Sequence, residues 1–139
     1  MTIFGAIGAA GSGMTVARKW IDAVSDNLAN MNTATRTSED AFQQRYIVAE
    51  AKQYGADYDT SSGGVDIAGV AFGSAEGRLV YEPDNPLADE GGYVKYPDID
   101  MASQMGQLII AQRAYQANAA VVDRAKTSYE AGLSIGRGA

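Results

Sequence analysis

The 139-residue chain contains no cysteine and no histidine, and these two absences exclude most of the usual catalytic and metal chemistry. Without cysteine there is no disulfide, no thiolate nucleophile and no thiolate ligand. Without histidine there is no side chain whose ordinary pKa lies near neutrality, and nearly all zinc and iron–sulfur sites are excluded. The sequence therefore predicts no catalytic, cofactor-binding or metal-binding residue, and we do not expect an enzyme.

Charge is scarce at both ends of the chain. Residues 1–34 carry two bases and two acids, and residues 99–139 carry four bases and three acids. Residues 35–98 carry five bases and twelve acids, so the net charge of −6 originates in the middle of the chain. A nucleic-acid partner is not expected, because no basic face is present to meet phosphates.

Targeting signals of the standard kinds are missing as well. The N-terminus has neither the positive start nor the leucine-type apolar run of a cleavable signal peptide, so any export is expected to use another route. Residues 101–122 hold the single charge of Arg113, which raises the possibility of a membrane helix. Five amide side chains in this segment would be costly in hydrocarbon, and a membrane span is therefore not predicted.

The first long apolar pattern predicts a helix that begins near Ile3–Ile7 and ends around Asn30–Asn32. Its charges fall within an arc of about 100° on a helical wheel, which leaves most of the surface uncharged. Asn27 and Asn30 are predicted to end the helix, since asparagine tolerates left-handed backbone geometry. The predicted packing positions are Ile7, Met14, Ile21, Val24 and Leu28.

A second helix is predicted from about Ile99 to Leu133, with the same heptad spacing. Asn118 lies among its apolar positions, where a buried amide can fix register or can simply be satisfied locally. The predicted packing positions of this helix are Met105, Leu108, Tyr115, Val122 and Tyr129.

The segment between the helices predicts a small β-rich insert. Alternating apolar residues indicate strands at 45–51, 65–72 and 78–81. All three prolines follow within fifteen residues, and they predict an extended, turn-rich loop from 82 to 97. Residues 53–64 are predicted to be the most mobile stretch, and the acids of the proline-rich loop are predicted to be solvated.

We therefore predict an α+β fold in which the two long helices form an antiparallel, coiled-coil-like pair with the β-rich insert between them. The predicted divisions are residues 1–34, 35–98 and 99–139. Two paired helices bury one seam and leave much uncharged surface in water, which costs about 25 cal/mol for each Å² of apolar surface. Because the chain is too short to cover this surface, the pattern indicates assembly with other chains.

Several motifs resemble those of flagellar axial proteins. The segment SGMTVARKWIDAVSDNLANMNT leads through a heptad to Asn-Leu-Ala-Asn and then Thr33, a pattern shared by rod, hook and related proteins. The segment LVYEPDNPLADEGGYVKYPDIDMASQM closely resembles the loop-to-helix signature of the FlgC-type proximal rod family. The family positions in this loop are Tyr81, Pro83, Pro86, Gly92, Tyr93 and Pro97.

The resemblance implies a structural subunit of the bacterial flagellar rod, with no cofactor. Its implied partners are copies of itself, other proximal rod proteins, the rod-base adaptor, the distal rod and the flagellar export apparatus. It also implies a periplasmic position, reached by type III export without signal cleavage, and helices packed around a central channel. Two alternatives remain open from the residues alone. One is a soluble β domain whose helical hairpin binds a partner, and the other is a cell-wall-cleaving enzyme with acids at Asp84, Asp89 and Glu90.

Overall fold

Two long helices flank four short strands in chain order, and three of these strands agree with the predicted ones. The structure is a computed structural model that describes residues 3–52 and 63–137. Helix α1 (Ile3–Asn30) is followed by β1 (Arg45–Ala51), β2 (Val65–Phe72), β3 (Arg78–Tyr81) and β4 (Tyr93–Tyr96), and α2 (Met101–Arg137) completes the chain. The α+β class is confirmed, and the predicted mobile stretch lies outside the described residues except for Gly63 and Gly64.

The helix ends follow from local hydrogen bonds. The N–H group of Thr33 donates to the carbonyl of Asn30 at 3.0 Å, which closes a turn directly after α1. A carboxylate oxygen of Asp100 accepts the N–H group of Ser103 at 2.8 Å, so Asp100 caps the first turn of α2. This bond explains why α2 begins at Met101, two residues later than predicted.

The strands form two separate two-stranded sheets, β1–β2 and β3–β4. The bounds of β1, β2 and β3 agree with the predicted ranges. The loop predicted for residues 82–97 is wrong in its last part, because Tyr93–Tyr96 forms β4 and pairs antiparallel with β3. Val94 and Val80 lie opposite each other in this hairpin, and Val94 is fully buried, so apolar burial on one face stabilises a strand that the nearby prolines obscured.

The chain folds as two compact units, and each unit contains part of both helices and part of the insert. We call Met1–Lys19, Val48–Gly69 and Ile110–Ala139 the terminal unit, since it contains both chain ends. We call Trp20–Ile47 and Val70–Ile109 the tryptophan unit, after the only tryptophan of the chain. The three-part division expected from composition stays a prediction.

The tryptophan unit has a varied interior. Its helix pair runs antiparallel, with Trp20 opposite Gln107 and Asn27 opposite Gln104. The buried residues come from both helices, from the β3–β4 hairpin and from the connections between them: Ala23, Val24, Asn27, Ala41, Gly92, Val94, Pro97, Ile99 and Gln104. Large apolar side chains and satisfied amides together give this unit a specific core.

The terminal unit has an interior of a different kind. Its helices are also antiparallel, since Phe4 contacts Tyr129 and Gly13 approaches Asn118. Among the described residues of this unit, the buried apolar side chains are the three alanines Ala10, Ala17 and Ala111. Small side chains let the helices approach closely, but they remove little apolar area from water.

Candidate assembly surfaces

A buried amide cluster joins the helices of the tryptophan unit to β1. The side-chain amide of Asn27 donates to the Gln104 side-chain carbonyl and to the Arg45 main-chain carbonyl, each at 3.0 Å. The side-chain carbonyl of Asn27 accepts the N–H group of Arg45 at 2.8 Å. Asn27 and Gln104 are almost completely buried, so these bonds replace those that water would have made.

Asn27 and Asn30 therefore have different environments. Asn27 lies inside the last turn of α1, where its side chain positions the start of β1. Asn30 is the last residue of α1, and its amide donates to the main-chain carbonyl of Asp26 at 2.8 Å. An ion pair of 2.6 Å between Arg45 and Asp26 also links β1 to this end of the helix. The position of Asn27 in the heptad did not reveal its partners, because β1 is distant in sequence.

The predicted packing rows are buried to very different degrees. Val24 is fully buried, and the other four positions on α1 are half-buried. On α2, Leu108 and Val122 are half-buried, whereas Met105, Tyr115 and Tyr129 are exposed. The α1 positions are thus at least half-buried within the chain, whereas three of the five α2 positions are exposed.

An uncharged face of α2 remains open in the tryptophan unit. Ala102, Met105, Gly106 and Ile109 follow the i, i+3, i+4, i+7 spacing of one helix face, and all four are exposed. Met105 keeps 43% and Ile109 keeps 47% of its surface in water. Ile109 was not among the predicted packing positions, whereas Met105 on the same face was. The absence of charge from this face was the signal that could have found it.

Close packing in the terminal unit depends on a glycine. A Cβ atom on Gly13 would lie 2.9 Å from the side-chain amide atoms of Asn118. Asn118 donates to the carbonyl of Ala114 in its own helix at 2.8 Å. At Gly13, the backbone of α1 therefore closely approaches the Asn118 side chain of α2.

Much of the apolar surface of the terminal unit stays in water. Phe4 is 69% exposed and Ile135 is 76% exposed, and the rings of Phe4 and Tyr129 meet edge to face with centroids 5.8 Å apart. The other exposed large apolar residues of this unit are Ile3, Val48, Ile67, Ile110, Tyr115, Val121 and Leu133. Burying such a side chain completely stabilises a protein by about 1.5–3 kcal/mol, which this unit does not gain by itself.

Four helical glycines of the terminal unit have open space where a side chain would be. A Cβ atom on Gly8, Gly11, Gly132 or Gly136 would meet no described atom within 4 Å. Each glycine costs about 1 kcal/mol of helix stability relative to alanine. The described part of the chain supplies no contact that compensates for this cost.

The family positions of the loop build the β3–β4 hairpin. The rings of Tyr81 and Tyr93 pack edge to face with centroids 5.3 Å apart. Gly92 has a φ of +80°, and a Cβ atom there would lie 2.8 Å from a ring carbon of Tyr81. Pro97 is fully buried, whereas Pro83 and Pro86 are exposed. Glycine is therefore required at Gly92 for backbone geometry and for space.

Asp89 organises the turn of this hairpin. One carboxylate oxygen accepts the N–H groups of Gly91 at 2.9 Å and Tyr93 at 3.0 Å, and the other accepts the Thr37 hydroxyl at 3.0 Å. These bonds, first of all the one from Tyr93, lower the pKa of Asp89 below its ordinary value of 3.8. The role of this acid is structural. Across residues 3–52 and 63–137, no cluster of acidic side chains is arranged to hold a metal ion.

Neither helix, over its described length, contains a stretch apolar enough to cross a membrane.

Comparison with known families agrees with this architecture. A model of the flagella basal body rod protein family matches residues 7–34, which cover most of α1 and the residues directly after it. A model of the C-terminal region of the flagellar basal body rod FlgEFG proteins matches residues 90–135, in β4 and α2. The chain is thus similar at both ends to structural proteins of the flagellar rod.

Individual relatives show to which family of flagellar rod proteins the chain is similar over most of its length. The flagellar basal-body rod proteins FlgC of Escherichia coli O157:H7 and Salmonella typhimurium are each 35% identical to this chain, over 92% of it and 93% of their own length. The FlgC protein of Bacillus subtilis is 27% identical over 99% of this chain and 100% of its own length. The chain belongs to the FlgC family of flagellar basal-body rod proteins. This is a family of structural subunits and not of enzymes, and its members belong to the basal body.

Proposed function

We propose that the chain is a proximal rod subunit whose terminal helices are completed by neighbouring subunits, and that the resulting shaft transmits torque around an export channel. The proposed neighbours are copies of this chain, other proximal rod proteins, the rod-base adaptor and the distal rod. The rod would lie in the periplasm, with the chain delivered by the flagellar export apparatus without signal cleavage.

One observation carries this proposal. The terminal unit buries only alanines among its described apolar residues and leaves isoleucine, leucine, phenylalanine and tyrosine in water. Amphipathic helices gain most of their stability from the burial of an apolar face. In the terminal unit, much of that face is exposed to water. A helical assembly supplies the cover, because each subunit then packs against several others.

The same argument assigns roles to the residues selected from the sequence. The α1 row would hold the intramolecular pair together, with Ile7, Ile21 and Leu28 at its margins. Met105, Tyr115 and Tyr129 would contact neighbouring subunits, since they are exposed on α2. Residues 1–34 and 99–139 would then form the assembly core, and residues 35–98 would be carried outside it.

The open face of α2 in the tryptophan unit gives the sharpest test. Ile109→Asp introduces a charge where a neighbouring helix is proposed to pack, at a side chain that is 47% exposed in the isolated chain. We expect loss of motility and of rod assembly, because burying an unpaired carboxylate costs several kcal/mol. We expect the far-ultraviolet circular dichroism of the purified variant to match that of the wild type.

Ser38→Asp is the matched control, since it adds the same charge at an exposed position of the same unit. It should leave motility unchanged. Normal motility of the Ile109→Asp strain, with wild-type levels of the protein, would contradict the proposal.

A further inference from the structure

The β3–β4 hairpin has one open edge. On one side of β4 lies β3, and on the other side Thr35 forms an isolated antiparallel bridge with Lys95. β3 pairs with β4 alone among the strands of the described chain, so its outer edge has no strand beside it. Such an edge presents main-chain donors and acceptors that another strand can pair with.

The hydrogen-bonding pattern of the β3–β4 pair identifies the main-chain groups that face the open edge. Lys95 exchanges hydrogen bonds with Thr35, at 2.9 Å through its N–H group and at 2.8 Å through its carbonyl, so its main-chain groups point away from β3. Lys95 lies opposite Leu79, so the two residues form a non-hydrogen-bonded pair of the antiparallel ladder. In such a pair, the main-chain groups of both residues point away from the partner strand. The main-chain groups of Leu79 therefore point to the open edge, and those of Tyr81, two residues further, do the same.

The side chains at this edge are apolar and in water. Leu79 is 62% exposed and Tyr81 is 63% exposed, whereas Val80 between them lies opposite the fully buried Val94. A strand added at this edge would gain main-chain hydrogen bonds and would cover these two side chains. This combination of edge groups and alternating apolar contacts is how extended peptides bind sheet edges.

The charge around the edge decides what can bind there. β3 is flanked in sequence by Glu76 and Glu82, and the hairpin turn adds Asp84 and Glu90. The third acid of the turn, Asp89, accepts the Thr37 hydroxyl and the outward N–H group of Tyr93, so it lies on the β4 side of the hairpin. Arg78 is the one base of this segment, and its guanidinium lies 5.5 Å from the centre of the Tyr96 ring. A second copy would bring the same acids to the contact, so self-pairing at this edge is electrostatically disfavoured.

We propose that the open edge of β3 binds an extended, positively charged segment of a different protein by strand addition, with the main-chain groups of Leu79 and Tyr81 as its hydrogen-bonding partners. This contact belongs to the unassembled chain and does not depend on the packing of the terminal helices. Its failure would therefore leave the proposed rod function untouched.

The test uses the purified full-length chain and a short synthetic peptide that alternates lysine and valine, followed by nuclear magnetic resonance. We expect the amide signals of Leu79 and Tyr81 to shift more than that of Val80, and the affinity to fall as salt is added. A peptide that alternates glutamate and valine should not bind. Shifts that map away from β3 would overturn the proposal.

Two changes separate strand addition from simple charge attraction. Leu79→Pro removes one outward N–H group and no bond of the β3–β4 ladder, and it should weaken peptide binding about tenfold. Leu79→Ile keeps both the N–H group and an apolar side chain, so it should lose much less affinity than Leu79→Pro does. If Leu79→Pro does not fold, a lysine–valine peptide with N-methylated valines makes the same comparison on the wild-type chain. Equal binding of the methylated and unmethylated peptides would show a purely electrostatic contact and would refute strand addition.

Discussion

The terminal unit and the tryptophan unit contain segments of the same two helices, yet different kinds of residue are buried between the helices in each unit. In the tryptophan unit, valine, isoleucine, proline and two amides fill the interior, and their polar atoms are satisfied. In the terminal unit, the buried apolar side chains among the described residues are three alanines, and the larger apolar side chains are half-buried or exposed. The comparison teaches that a continuous helix can belong to a self-sufficient core along one stretch and to an incomplete one along another.

The largest expected difference between the units is in hydrogen exchange of the isolated chain. Amides of α2 at residues 110–137 should exchange at least about a hundredfold faster than those at residues 105–109, because few buried contacts oppose local opening in the terminal unit. Exchange monitored by mass spectrometry would measure this ratio. Uniform protection along α2 would remove the distinction between the two units.

The next effect concerns the amide cluster of the tryptophan unit. Asn27→Ala removes the bonds that Asn27 makes to the side-chain carbonyl of Gln104 and to both main-chain groups of Arg45, and it should lower the free energy of unfolding by about 3 kcal/mol. Urea denaturation followed by the fluorescence of Trp20 reports on this unit. Asn30→Ala is the control, since its exposed bond to Asp26 should contribute about 1 kcal/mol or less. Equal losses in the two variants would contradict the role given to the cluster.

A smaller effect distinguishes two glycines within the terminal unit. Gly132→Ala should stabilise α2 of the isolated chain by about 1 kcal/mol, since a Cβ atom there meets open space. It should also reduce motility if a neighbouring subunit approaches this glycine. Gly13→Ala should destabilise the isolated chain, because the new Cβ atom would press on Asn118. Amide exchange of the isolated chain should become slower in Gly132→Ala and faster in Gly13→Ala. Slower exchange in both variants would contradict the packing described here.

The smallest effect is the pH dependence of the hairpin turn. Because hydrogen bonds hold the pKa of Asp89 below 3.8 in the folded chain, the carboxylate stabilises the turn fully above this value. This stabilisation is lost as the pH falls through the folded-state pKa. The amide signal of Tyr93 should follow this loss, and in Asp89→Asn it should not. A pH response that persists in the variant would assign the titration to another acid.

The periodicity of apolar residues and the positions of turn-forming residues predicted most of the secondary structure. The heptads gave the two helices, and alternation gave β1, β2 and β3 at their observed bounds. β4 was missed because the prolines and glycines around it indicate turns, and its stability comes from Val94 packing against β3. The start of α2 was misplaced by two residues, since the cap at Asp100 competes with the apolar pattern at Ile99.

The functional surfaces were predictable only in part. Scarcity of charge on the terminal segments indicated that they pack against something, and the motifs indicated the family. The pattern could not distinguish a buried side chain from an exposed one, as the predicted positions Val24 and Met105 illustrate. It also could not reveal the partners of Asn27, because these come from β1 and α2.

Local information in the chain was sufficient for the helices, for three of the strands and for membership of a structural family, because spacing and composition act between neighbouring residues. Contacts between distant segments decided which apolar residues are buried, why Gly13 and Gly92 must be glycine, and which edge of the hairpin stays open. These outcomes depend on the register at which helices and strands meet, and that register is a property of the folded chain.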